Sequence, residues 1–497
     1  MRREILRMER VTYREQGMTQ LENFNIAIKE GEIIGVVPVN RVGLAAFIRL
    51  LRQNLPLHYG YVYYQEKMVN HWRFPTMKYN RISVIQNRSC LAEGLTVADN
   101  VFVLRQGFRK RIVQPKVLRQ QLQPFLEEIG VEISSDAYVD ELSAFERLVV
   151  ELLKAVVAGN RLIVMDDIGT FVSDRELKKL HEIMRHYASR GVAFLYIAAH
   201  YEDARQICGR IAMMMNGQII KYYSGKEPVP KLFYFQCTEE FDRKVRENMD
   251  RKQPEPEERP VFEADGVCGE NIRDLKISVR AGECLVLQAL DTAVFQELLG
   301  FMTGAGKPER GTVLVDGLPA SIPGDRRIGV IRELPAATMI FSNLSYLDNL
   351  CMNLDHRFEN VWRKGSIKKG IAREYAPLLG EEVFWKRVDE LTEREKYDLV
   401  YARILLQNPR VVFCIQPFKG AEVELRVRIW EHLERFLDRG IGVVILAVNL
   451  ADSLSLAGRL IRIRRGGRQE EFSREAFSRL PINTPWRYLY EEEGENR

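Results

Sequence analysis

The chain has 497 residues, 46% hydrophobic and 28% charged, and its 73 basic and 68 acidic side chains leave a formal charge of +5. That composition can build two or three buried cores and is too apolar for a disordered chain, and so small a basic excess argues against nucleic acid as a partner. Seven scattered cysteines without a C-x-x-C pair exclude a disulfide framework and a zinc spacing, and neither a signal peptide nor a run of roughly 18 uncharged apolar residues is present. The expectation is a protein of a reducing cytosol, neither secreted nor integral to a membrane.

In chain order, residues 33–37 (IIGVV) read as a buried strand, and 145–157 (FERLVVELLKAVV) as an amphipathic helix. Residues 162–165 and 192–197 follow as further buried strands, short, rich in β-branched residues and bounded by glycine or charge. Residues 279–287 and 411–415 repeat the scheme. Strands alternating with helices predict an α/β domain around a parallel sheet.

The scheme is duplicated. Gly31-Glu32-Ile33 returns as Gly282-Glu283-Cys284, 251 residues on. Leu95-Thr96-Val97-Ala98-Asp99-Asn100 returns as Leu344-Ser345-Tyr346-Leu347-Asp348-Asn349, 249 residues on. Glu141-Leu142-Ser143 pairs with Glu390-Leu391-Thr392, and Gly209-Arg210-Ile211 with Gly458-Arg459-Leu460, at the same offset. A constant offset marks a tandem repeat. The predicted organisation is a first domain over 1–245, a polar linker with three prolines over 246–260 and a second domain over 261–497, ending in the acidic tail YEEEGENR.

The order of these pieces resembles the ATP-binding cassette family, and more narrowly the double-cassette ATPases of ribose- and galactose-type sugar importers. The carriers are GEIIGVV before a helix, LTVADNVFVLR, ELSAFERLVVELLKAV before RLIVMDD, and GVAFLYIAAHYEDARQICGRIAMMMNGQ. In the second half they are AGECLVL, FSNLSYLDNLCM, ELTEREKYDLVYARILLQNPRVVF and GRLIRIRRGGR. The resemblance implies two tandem P-loop NTPase-like domains, each with a mainly parallel core, an antiparallel β part and a helical subdomain. It also implies ATP and Mg²⁺ as cofactors, a membrane permease as partner, and a cytoplasmic, membrane-peripheral location.

The residues that carry the family's chemistry differ from its pattern. A phosphate loop needs G-x-x-x-x-G-K-[ST] between strand and helix, so that backbone N–H groups, a lysine and a hydroxyl meet phosphate and Mg²⁺. Aligned after residues 33–37, the first glycine is Pro38, which has no N–H. The loop continues through Asn40, Arg41 and Gly43, and the lysine and hydroxyl positions hold Leu44 and Ala45. Arg41 is the nearby cation. In the second half Ala289-Leu290-Asp291-Thr292 lies there, and the glycine run Gly304-Ala305-Gly306-Lys307 falls too late and reads as a turn.

By the same resemblance Asp166 takes the Mg²⁺ position, and Asp167, one methylene short of the usual glutamate, takes that of the general base. Their second-half counterparts are Ile415 and Gln416. The residue sensing γ-phosphate falls at Gln86 or Asn87, and both remain open. Ser143 matches the serine of the cross-dimer motif, with Thr392 as its copy; both equally fit plain helix N-caps, the reading preferred here. Counting back from Ile207-Cys208 puts Ala199 at the switch-histidine position and His200 one residue later, which keeps His200 a candidate. Tyr13 stands where the family stacks an aromatic ring on adenine. LTVADNVFVLR borders the groove that receives a permease segment.

The resulting expectation is a pseudo-ATPase subunit with a structural or regulatory role at a sugar-type permease, one that has lost tight binding of ATP and Mg²⁺, beside an intact ATPase or a regulatory protein. The alternatives are an active import ATPase with diverged motifs and a soluble regulatory scaffold. A ribosome-acting tandem cassette is disfavoured by the short linker.

Overall fold

The computed structural model describes residues 2–480 except 16, 87–88, 103–113, 171, 226–242, 245, 249, 252–258, 323, 355–363, 422, 449 and 451. Asn87, the end of LTVADNVFVLR, both prolines at the centre of the linker and the acidic tail lie outside the described residues. The chain forms two compact units, Met1–Cys237 and Thr238–Arg497.

In the first unit, β1 (Glu4–Glu15) and β2 (Met18–Lys29) form an antiparallel hairpin, which β4 (Tyr59–Tyr64) and β5 (Lys67–His71) extend to a sheet of order β2-β1-β4-β5. The second sheet has the order β10-β9-β3-β8-β7-β6. Its strands are β3 (Ile33–Pro38), β6 (Ile82–Ile85), β7 (Leu162–Asp166), β8 (Ala193–Ile197), β9 (Arg210–Met215) and β10 (Gln218–Ser224). Strands β6, β7, β8, β3 and β9 run parallel, and β10 closes the edge antiparallel. Burial on both faces explains why β7 and β8 read as continuous apolar runs rather than alternating ones.

Helix α1 (Leu44–Arg52) packs with β3 into one core, which the antiparallel sheet covers. The other face meets α2 (Val97–Phe102), α3 (Pro115–Ile129), α4 (Ala144–Val157), α5 (Asp174–Ser189) and α6 (Tyr201–Arg205). Each fully buried aliphatic side chain contributes roughly 1.5–3 kcal/mol, so α4, with Leu148, Val149, Val150, Leu152 and Leu153 at 3% exposure or less, is a principal anchor.

The second unit repeats this plan. Strands β11 (Pro260–Cys268), β12 (Leu275–Arg280), β14 (Arg310–Val315) and β15 (Leu318–Pro319) form an antiparallel sheet of order β12-β11-β14-β15. Strands β13 (Cys284–Ala289), β16 (Ile328–Ile331), β17 (Val411–Ile415), β18 (Gly442–Ala447), β19 (Arg459–Ile463) and β20 (Gln469–Ser473) follow the order β16-β17-β18-β13-β19-β20. Read from its other end, the first unit's sheet has the same sequence of equivalents. Helices are α7 (Thr292–Thr303), α8 (Pro335–Thr338), α9 (Tyr346–Cys351), α10 (Lys364–Leu379), α11 (Glu393–Gln407) and α12 (Val423–Asp438). The segment 279–287, expected as one run, is two strands. Gly282 turns the chain with φ 70°, between the end of β12 and the start of β13.

The repeated motifs that revealed the duplication are structural fasteners. Arg210 donates from Nε to Glu32 (3.1 Å) and from its terminal nitrogen to the Ala27 carbonyl (2.6 Å). Arg459 does the same to Glu283 (2.5 Å) and the Ser278 carbonyl (2.5 Å). Each Gly-Glu at the head of the central strand is thus tied to the Gly-Arg that opens its neighbour.

Candidate functional site

The strand-to-helix connection of the first unit runs from Pro38 to α1. Gly43 caps the helix in the left-handed region (φ 79°), and a Cβ there would stand 2.1 Å from the Gln20 carbonyl oxygen. Val39 N–H donates to the Met214 carbonyl (2.8 Å) and Leu44 N–H to the Arg41 carbonyl (3.1 Å). Asn40 donates to the Asn216 side chain (2.7 Å) and accepts from Asn216 N–H (3.1 Å). The loop is therefore sewn onto the β9–β10 turn. Leu44, at the lysine position, is the first residue of α1, and at 5% exposure it belongs to the apolar core.

Four of the sequence-predicted residues come together at the C-terminal ends of β6 and β7. Gln86 donates to an Asp166 carboxylate oxygen at 2.9 Å. Burial raises the Asp166 pKa above the usual carboxylate range, with the Gln86 hydrogen bond and the Arg41 charge opposing that rise. Arg41 lies 3.8 Å from the Asp167 carboxylate, a half-exposed pair of small energetic weight. Asp167 has φ 53°, and its N–H donates to the Ile197 carbonyl (2.9 Å). Gln416 has φ 43° and donates to the Leu446 carbonyl (2.9 Å), so its backbone repeats that of Asp167.

The remaining candidates stand apart. Tyr13 is 8% exposed and belongs to the core that the antiparallel sheet covers. Ser143 caps α4: its hydroxyl accepts from Glu146 N–H (3.2 Å), and the Glu146 carboxylate accepts from Ser143 N–H (2.8 Å). Thr392 and Glu395 repeat this capping box at α11. His200 precedes α6 at 6% exposure.

In the second unit, Leu290 and Asp291 alone join β13 to α7, and Asp291 accepts from Arg465 N–H (3.3 Å). A phosphate-wrapping loop needs several backbone N–H groups in series, and two residues cannot supply them. Gly304 is the left-handed C-cap of α7 (φ 79°), so the glycine run is a helix terminus. Ile415, the second-unit counterpart of Asp166, is apolar and fully buried.

Sequence reasoning missed a cleft of about 1020 Å³ in the second unit. It runs beside the edge strand β16 and is lined by Arg326, Arg332, Met339, Phe341 and Arg403 among others. Arg403, 3% exposed, donates to the Met339 carbonyl (2.8 Å), and burial lowers its pKa to about 10. The signal was the arginine density of 326–332 with Arg403 and Arg410, scattered in sequence and joined only by the fold.

Each unit has the parallel core, antiparallel sheet and helical part of the ATP-binding-cassette fold. The family model described as ABC transporter matches residues 21–169. Along nearly its whole length the chain is similar to the Rubrobacter xylanophilus "Ribose import ATP-binding protein RbsA 1" (25% identity, covering 94% of both chains). It is also similar to the Geobacillus kaustophilus "Xylose import ATP-binding protein XylG" (22%, covering 97% and 98%). Among solved structures, one titled "RNase-L Inhibitor" shares the tandem fold (TM-score 0.57, 13% identity, covering 93% of this chain and 90% of that one).

Proposed function

We propose that this chain is a cassette subunit of a ribose/galactose-type sugar importer, held at the cytoplasmic face of a membrane permease, in which neither cassette retains tight nucleotide binding. The relatives' names and near-complete coverage support the importer assignment. No helix among the described residues is long and apolar enough to cross a membrane, which fits a peripheral subunit. The observation that carries the nucleotide-silent reading is the pair of strand-to-helix connections. One buries Leu44 in the lysine position, and the other has two residues. Losing the lysine and the hydroxyl removes most of the charge stabilisation of phosphoryl transfer.

Calorimetry with Mg²⁺-ATP tests this. The expected result is no heat of binding up to millimolar nucleotide. A dissociation constant below about 0.1 mM, near −5.5 kcal/mol, overturns the reading. It favours an active import ATPase, for which the retained Gln86–Asp166 hydrogen bond speaks. In that case Asp166→Ala abolishes hydrolysis.

A further inference from the structure

One surface of the first cassette is accounted for neither by the nucleotide positions nor by the repeat. Residues 67–81 read KMVNHWRFPTMKYNR, with four cations and no acid. Within it Met68 (49%), Trp72 (36%), Phe74 (71%), Met77 (50%) and Tyr79 (74%) are exposed. Single exposed apolar side chains are ordinary; a contiguous group marks an interaction surface.

The surface is firmly held. Trp72 N–H donates to the Gly60 carbonyl (3.2 Å), Asn54 N–H to the Lys78 carbonyl (2.9 Å) and Asn80 N–H to the Arg52 carbonyl (2.8 Å), while the Thr76 hydroxyl donates to the Val69 carbonyl (2.7 Å). Two ring pairs stand on it, Tyr59–Trp72 with centroids at 6.0 Å and His71–Phe74 at 5.3 Å. The Arg73 guanidinium lies 4.7 Å over the Trp72 ring. The equivalent connection in the second cassette differs: Asp325 neutralises Arg327 at 2.6 Å, and no aromatic residue stands between β15 and β16.

We propose that this face of the first cassette docks on an anionic phospholipid surface. Trp72 and Tyr79 have the amphipathic rings that settle at headgroup level, Phe74 and the two methionines reach the acyl boundary, and the exposed Arg73 and Lys78 meet lipid phosphate. A nucleic acid would call for a broader cationic field than a chain of charge +5 provides. The docking needs no permease and no nucleotide, so its test is separate from that of the importer assignment.

The test is flotation of the purified full chain with vesicles of phosphatidylcholine alone and with about a third phosphatidylglycerol. The expected result is flotation with the anionic vesicles, little with the neutral ones, and loss at high salt. Phe74→Ser with Tyr79→Ser, and separately Arg73→Glu with Lys78→Glu, each weaken it about tenfold or more. These side chains are exposed, so melting temperatures stay unchanged. Absence of flotation with anionic vesicles at low salt overturns the proposal, as does flotation indifferent to both variant pairs. Single-stranded RNA binding, or self-association, that the same variants abolish in a protein that ignores vesicles also overturns it and reassigns the face.

Discussion

Asn100 and Asn349 stand 249 residues apart and make the same hydrogen bonds. Asn100 accepts from Ala92 N–H (2.7 Å) and donates to the carbonyls of Ala92 (3.1 Å) and Thr96 (3.2 Å). Asn349 accepts from Phe341 N–H (2.9 Å) and donates to the carbonyls of Phe341 (2.9 Å) and Ser345 (3.1 Å). Both amides are buried, at 2% and 0% exposure. Each closes the turn that delivers the chain from the edge strand into the helical subdomain. Replacing either by alanine removes these bonds from a turn whose partner residues, Ala92 and Phe341, are themselves exposed, so Asn100→Ala and Asn349→Ala should each cost about 1–2 kcal/mol. Urea denaturation of the full chain measures it, and a loss within a few tenths would mean that water replaces the amide.

Gly43 tests whether the loop's surviving glycine serves structure or phosphate. Its φ of 79° and the 2.1 Å approach of the Gln20 carbonyl to a built Cβ leave no room for alanine. Gly43→Ala should destabilise the first cassette by about 2 kcal/mol or more, equally with and without Mg²⁺-ATP in a thermal melt. An unchanged melting temperature would show that the β9–β10 turn yields to the added methyl group.

Much of the fold was legible because its signals were local and duplicated. The apolar run at β17 gave the strand limits directly, and the Gly-Glu and Gly-Arg pairs gave the repeat. The site was legible in part. The Gln86–Asp166 hydrogen bond, a contact spanning 80 residues, had no local signal, because only the fold brings the two strand ends together. The pairing of Asn40 with Asn216 had no sequence signal, since two asparagines in turns are ordinary until the fold joins them.

The two capping boxes separate a helix cap from a nucleotide contact. Ser143→Ala and Thr392→Ala should each cost about 1 kcal/mol, while Ser143→Asp, which still accepts from the Glu146 N–H, should cost little. A serine kept for γ-phosphate would show the reverse pattern, with stability indifferent to alanine. Denaturant midpoints of the three variants decide it.

His181 gives the first cassette a pH dependence of definite sign. The ring is 2% exposed, lies 3.3 Å from the Tyr196 hydroxyl and packs edge-on to that ring at 5.6 Å. Burial, aided by the Arg185 charge, lowers its pKa from 6.5 to about 4. The native state therefore holds the neutral ring, and the unfolded chain takes up the proton first. Stability is fully present above pH 6.5 and is lost as pH falls from 6.5 towards about 4, by an amount on the order of 3 kcal/mol. His181→Phe keeps an aromatic ring and removes the proton site, at the cost of the Tyr196 contact. Its stability should be lower than that of the parent at pH 7.5, yet fall less steeply between pH 6.5 and 4.5. Denaturant unfolding at a series of pH values gives both slopes, and parallel curves would show that the imidazole is protonated as readily in the folded cassette as in the unfolded chain.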